Sequence, residues 1–167
     1  MFKSLGFALA GLTLSACVVP VPVVLPAPQG ASSQTAAASR LAATPPRSAA
    51  FDLMINDLRR TTGRTPLSSN RDLDRVAASH AAALQARGAL AHRDAAGRKV
   101  SGRVRAAGVS SCGAGENLAR GQGQAEDVFR DWANSPAHRS NMVFPAYANY
   151  GLGHVGDYWV LILLTAC

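Results

Sequence analysis

Apolar residues recur three and four apart at Phe51, Met54, Ile55 and Leu58, which predicts an amphipathic helix over residues 49–61, ended by Gly63 and Pro66. A second stripe of Leu73, Val76, Ala77 and Leu84 predicts a helix that begins at a cap on Ser69 or Asn70 and runs to Arg87, where Gly88 stops it. His80 lies on that same stripe. A shorter helix is expected at 99–107, and residues 108–123, GVSSCGAGENLARGQG, read as loop with a short extended piece. Ala125, Val128, Phe129 and Trp132 mark a third main helix, with Trp132 as core. Ser135 is placed to cap a further turn with Pro136 at its first position, so His138 falls in the first turn of a short helix. The pattern then changes: YANYGLGHVG and DYWVLILLTAC read as strands joined by a Gly-Asp turn. Val160 to Leu164 is continuously apolar, as in a strand covered on both faces. Helices followed by a hairpin predict a layered α/β domain.

The N-terminal residues follow another logic. MFKSLGFALAGLTLSAC has a basic start at Lys3, an apolar run from Leu5 to Leu14 too short to cross a bilayer as a helix, and small residues before Cys17. Leu14-Ser15-Ala16-Cys17 resembles a bacterial lipobox, which implies a signal peptide at 1–16, cleavage before Cys17 and acyl chains on that residue. The alternative is an ordinary signal peptide with a chance cysteine. Residues 17–47, rich in Pro, Ala, Ser and Val, read as a partly extended tether, and residues 48–167 as the folded unit. Val18 after the cysteine resembles the outer-membrane sorting signal of a diderm bacterium.

With Cys17 lipidated, Cys112 and Cys167 remain as a pair in an oxidising compartment. A disulfide between them is expected, with two free thiols as the alternative. The absence of a CxxC motif leaves thioredoxin-like chemistry and cysteine-rich zinc sites without support. The formal charge of +7 suits an anionic envelope surface, but the arginines are scattered and not interleaved with aromatics, so no nucleic-acid partner is expected.

Three residues stand in irregular sequence where a scaffold presents chemistry: His92 in ALAHRDAAG, Glu116 in GAGENLARG and His138 in SPAHRSNM. Two imidazoles and a carboxylate form a candidate divalent-metal set, or an acid and base around a polar ligand. There is no HExxH motif. Asn117 is expected to brace the loop and Asn141 the turn after His138. His80 reads as a core or rim histidine, His154 as facing cleft or solvent, and Ser135 as a helix cap rather than a nucleophile paired with His138.

These pieces, in order, carry a resemblance. The segment from FDLMINDLRR to ALAHRD, then GENLARG, then WANSPAHRSNMVFPAYANYGLGHV resembles the CAP superfamily of cysteine-rich secretory proteins, antigen 5 and pathogenesis-related 1 proteins, in its bacterial SCP-like branch. It covers residues 50–166. The resemblance implies an α+β fold, an α-β-α sandwich with a central antiparallel sheet, and a surface cleft holding two histidines and two acidic residues. His92, Glu116 and His138 match three of the four. The fourth acidic position, after the tryptophan in many eukaryotic members, falls here at Asn134-Ser135, and Asp131 is a poor substitute. Some family members bind zinc or another divalent ion through the two histidines, which makes His92 and His138 the candidate metal ligands here.

Three functions are open. The first is a lipid-anchored binding or envelope-interaction module whose ligand is a lipid, sterol-like molecule, glycan or protein segment, and the missing acidic residue favours it. The second is a metal-dependent hydrolase with His92, His138 and Glu116 as its machinery. The third is a structural envelope protein. A monomer is expected, with the membrane as partner through the lipid anchor.

Overall fold

The computed structural model describes residues 49–167. The signal peptide, lipidated Cys17 and tether expected from the sequence lie outside the described residues.

The elements in chain order are α1 (Ala49–Thr61), β1 (Ser68–Ser69), α2 (Arg71–Arg87), α3 (Val100–Ala106), β2 (Gly113–Arg120), α4 (Ala125–Asn134), α5 (Pro136–Met142), β3 (Tyr147–Val155) and β4 (Tyr158–Thr165). They form one sheet in the order β1-β3-β4-β2, in which β4 pairs antiparallel with both neighbours and β1 adds two parallel residues at the edge. The helices divide between its faces. Along β4, Trp159, Leu161 and Leu163 join α1, α4 and α5, while Tyr158, Val160, Ile162 and Leu164 join α2 and α3. Period-two alternation in one strand therefore serves two cores, and the architecture is the expected α-β-α sandwich.

Local chemistry explains the helix ends. Asn70 accepts from the Asp72 and Leu73 amides at the start of α2, and Gly88 closes it in the left-handed region at φ 72°. The two glycines of the YGLG stretch have a packing reason. A Cβ on Gly151 would run into the Leu73–Asp74 backbone, and one on Gly153 into Ala77–Ala78, so α2 lies directly on β3. The fully buried Arg59 of α1 donates to the carbonyls of Thr65, Met142, Phe144 and Tyr147, stitching the α5–β3 connection to α1.

Two expectations need correction. The short extended piece expected within 108–123 is longer than expected, an eight-residue strand at 113–120 paired in register with β4 from Gly113↔Thr165 to Arg120↔Tyr158. With two glycines and no β-branched residue this segment lacks strand propensity; its partner imposes the conformation. Ser135 occupies the cap position of α5, but its side chain makes no capping bond, because its hydroxyl faces His138 instead. The disulfide between Cys112 and Cys167 is present and ties the start of β2 to the chain end beyond β4.

Candidate functional site

The site is built on β2, an edge strand, and alternation splits its Glu116-Asn117 pair between the two layers. Glu116 stands opposite Ile162 and turns to the α2/α3 side; Asn117 stands opposite Leu161 and turns to the α5 side.

On the first side Glu116 is almost fully buried. Its Oε2 takes an ion pair from the buried Arg103 of α3, with His80 Nε2 3.8 Å away. Its Oε1 accepts from His92 Nδ1 at 2.8 Å. A carboxylate held against a guanidinium only accepts, so His92 Nδ1 carries the hydrogen donated to it, and Nε2 is left to face outward. His92 is itself 63% exposed in its side chain. Arg103 also donates to the carbonyls of His92 and Arg98, both at 3.0 Å, so one guanidinium holds the carboxylate and the loop that carries the imidazole. Asp94 locks that loop through the Ala96 and Arg98 amides and the Arg98 side chain. Desolvation alone would push the Asp94 carboxyl up; these hydrogen bonds outweigh it and hold the group below its ordinary range.

On the other side Asn117 donates to the His138 carbonyl at 3.0 Å and accepts from Asn141, which also donates to the Glu116 carbonyl. Both asparagines therefore brace α5 against β2, where the sequence suggested only local roles, Asn117 in its loop and Asn141 in the turn after His138. His138 Nδ1 and the Ser135 hydroxyl are 3.0 Å apart. Burial first, and the charge of His92 second, push the His138 imidazole below its ordinary value, so the two histidines share one electrostatic environment. Tyr147 leans across Gly115, where any Cβ would strike its hydroxyl, and burial pushes its phenol up.

Beside Glu116 a cavity of about 530 Å³ opens, lined by Ala91, His92, Arg93, Lys99, Ala114 and Gly115. Arg93 donates to the Gly97 carbonyl, and neither it nor Lys99 pairs with a carboxylate among the described residues. With Glu116 neutralised by Arg103, the mouth of this cavity is positive.

The structure thus joins His92 directly to Glu116 and brings His138 within electrostatic reach. His154 is elsewhere, stacked on Trp159 with ring centroids 3.7 Å apart, and Asp131 only accepts from Gln122. After their Nδ1 contacts, His92 and His138 each keep one ring nitrogen. Among the described residues no three His, Cys, Asp or Glu side chains converge as a metal set. Two nitrogens fall short of the three protein ligands of a catalytic zinc site, so these residues do not complete one by themselves.

One contributor, Arg103, escaped the sequence reading. Arg103 was legible in principle, since Val100, Arg103 and Val104 share one face of α3 at helical spacing. His80 was read as a core or rim histidine; it is buried and bonded to the Ala91 carbonyl at 3.0 Å, one residue before His92.

A three-layer sandwich with a histidine pair flanking a Gly-Glu-Asn strand defines a CAP-type domain. The model of the CAP, or cysteine-rich secretory protein, family matches residues 53–162, more than half the chain, and the chain belongs to that family. It is 29% identical over 108 residues to YkwD of Bacillus subtilis (strain 168), covering 64% of this chain and 42% of that protein. Its fold is similar to an extracellular SCP-domain protein of Bacillus anthracis (TM-score 0.66, 19% identity, 70% of this chain and 39% of the other). It is also similar to an outer surface protein of Borrelia burgdorferi (TM-score 0.65, 21% identity, 71% and 91%). The chain spans about two fifths of the length of the two Bacillus proteins it matches.

Proposed function

We propose that this protein is a lipid-anchored, extracytoplasmic CAP module whose cleft binds a ligand through an anionic group and does not turn it over. The observation that carries this reading is the state of Glu116. Both its oxygens are engaged, by His92 and by the buried Arg103, and it is shielded from solvent. A carboxylate in that position aims an imidazole; it is not free to take a proton from water or substrate. Arg93 and Lys99, beside the His92 ring, then offer the donors and charge that a phosphate or carboxylate head requires. The extracellular and outer-surface descriptions of the two structural relatives support an envelope location. Among the described residues no helix is long and apolar enough to cross a membrane.

Calorimetric titration of the purified protein with hexyl phosphate tests this. Saturable binding that is lost in His92→Ala/Lys99→Ala, with no inorganic phosphate released, supports it. Equal heats in parent and variant, or steady release of phosphate, contradict it.

One observation favours a hydrolase reading: the 3.0 Å contact between Ser135 and His138, whose lowered proton affinity leaves it neutral at pH 7 and able to act as a base. Ester turnover abolished by Ser135→Ala would establish it. A divalent ion bridging the free nitrogens of His92 and His138 needs further donors from solvent or ligand. One-to-one zinc heat lost in His92→Ala/His138→Ala supports such an ion, and the same heat in both proteins overturns it.

A further inference from the structure

β2 stands at the edge of the sheet, and the register fixes which of its backbone groups face outward. The Gly121 amide donates to the Asp157 carbonyl at 2.8 Å, so that pair is a hydrogen-bonded one. The register runs unbroken from there. Ala119, Asn117 and Gly115 therefore turn their N–H and C=O groups to β4, while Leu118, Glu116 and Ala114 turn theirs away from it. Side-chain bonds on the outer edge agree. The Leu118 carbonyl accepts from Trp132 Nε1 and the Glu116 carbonyl from Asn141, both at 3.2 Å.

From the Glu116 carbonyl onward, α4 and α5 thus take up the outer carbonyls. Ahead of it the edge is open. The Ala114 N–H, the Ala114 C=O and the Glu116 N–H point outward and have no hydrogen-bond partner among the described residues. Ala114 and Gly115 are partly exposed. Glu116 is 7% exposed as a residue but 2% in its side chain, so most of what remains accessible there is main chain. Ala114, Gly115 and Glu116 all line the 530 Å³ cavity beside His92. An open row of this kind is the template on which an extended peptide adds as a further strand.

Charge and hydrogen bonding narrow the ligand further. Arg93 and Lys99 line the same cavity without a carboxylate partner among the described residues, while Glu116 is taken by Arg103 and His92. An acidic side chain on the incoming strand meets that charge. A lipid tail brings no donor for the Ala114 carbonyl. A peptide backbone brings donors and acceptors at the spacing of the strand itself.

We infer that the ligand of the His92 cleft is an acidic peptide segment bound in extended form, its backbone paired with Ala114 and Glu116 on the β2 edge and its carboxylate set against Arg93 and Lys99. This inference rests on the anion-binding reading of the cleft given above and names the class of its ligand.

The test titrates the full protein with acetyl-Val-Glu-Val-amide and, separately, with hexyl phosphate, followed through backbone ¹H–¹⁵N resonances. The expected result is a saturable downfield shift of the Ala114 and Glu116 amide protons with the peptide. The same peptide N-methylated along its backbone, and acetyl-Val-Gln-Val-amide, should each bind about tenfold or more weakly. Ala114→Pro removes an outward N–H and no bond to β4, at a position where an edge strand accepts proline. It should weaken the peptide about tenfold and leave hexyl phosphate binding unchanged. The N-methylated peptide, tested on the parent protein, keeps the result independent of how that variant folds. Equal binding of the N-methylated peptide, or peptide shifts that spare Ala114 and Glu116, overturns the edge pairing and leaves the anion site standing. So does hexyl phosphate binding without peptide binding. Binding of neither overturns both readings.

Discussion

Replacing Glu116 with alanine asks how much the buried ion pair holds the fold. The carboxylate and the Arg103 guanidinium have side-chain exposures of 2% and 7%, so the variant leaves a buried cation without its counter-charge. Breaking a buried pair in this way costs about 3–5 kcal/mol. Arg103 keeps the His92 and Arg98 carbonyls at 3.0 Å, which places the expected loss at the lower end, about 3 kcal/mol. The bond to the exposed His92 ring adds less than about 1 kcal/mol. The buried Trp132 and Trp159 report unfolding by fluorescence in urea. With a slope near 2 kcal/mol per molar, the midpoint should fall by about 1.5 M. Removing both charges, as Glu116→Leu/Arg103→Met, should return stability to within about 1 kcal/mol of the parent. A fall of less than about 0.5 M for Glu116→Ala, or a double variant no better than the single one, would refute the reasoning.

Three further outcomes are expected. Cys112→Ser should lower stability by about 4 kcal/mol under oxidising conditions, since the bridge closes a separation of 55 residues, and should match the parent once both are reduced; equal melting in both conditions would sink the role of the bridge. His80 and His138 both have folded-state affinities for protons below the ordinary 6.5, so the unfolded chain binds more protons in the window just below that value. Stability should be complete above pH 6.5 and fall as the pH drops through the folded-state values, and unfolding curves with no acid-side slope there would contradict it. Gly151→Ala should cost about 3 kcal/mol by forcing α2 off β3, which denaturant midpoints compared with an exposed Gly123→Ala control would check.

Elements with strong periodicity were legible. The stripes of α1, α2 and α4 and the apolar run of β4 are repeated patterns in which each residue supports the next, and their boundaries fall within a residue or two of those observed. The edge strand was not. Gly113, Gly115, Glu116 and Asn117 have neither alternation nor β propensity, and only the register with β4 makes them a strand. The motif residues His92, Glu116 and His138 could be picked from the sequence, but the bonds that decide their chemistry join α2, α3 and β2. Arg103 reaches Glu116 across 13 positions and His92 across 11, distances at which no local pattern speaks.

The proposed reading of the cleft as binding rather than hydrolytic rests on the same bonds, an aimed His92 and an occupied Glu116. The ring ¹⁵N resonances of His92 in the purified protein at neutral pH report that arrangement most directly. The account predicts a proton on Nδ1, hydrogen-bonded to Glu116, and loss of that preference in Glu116→Gln. A proton on Nε2 in the parent protein, leaving Nδ1 without a hydrogen for the carboxylate, would contradict it.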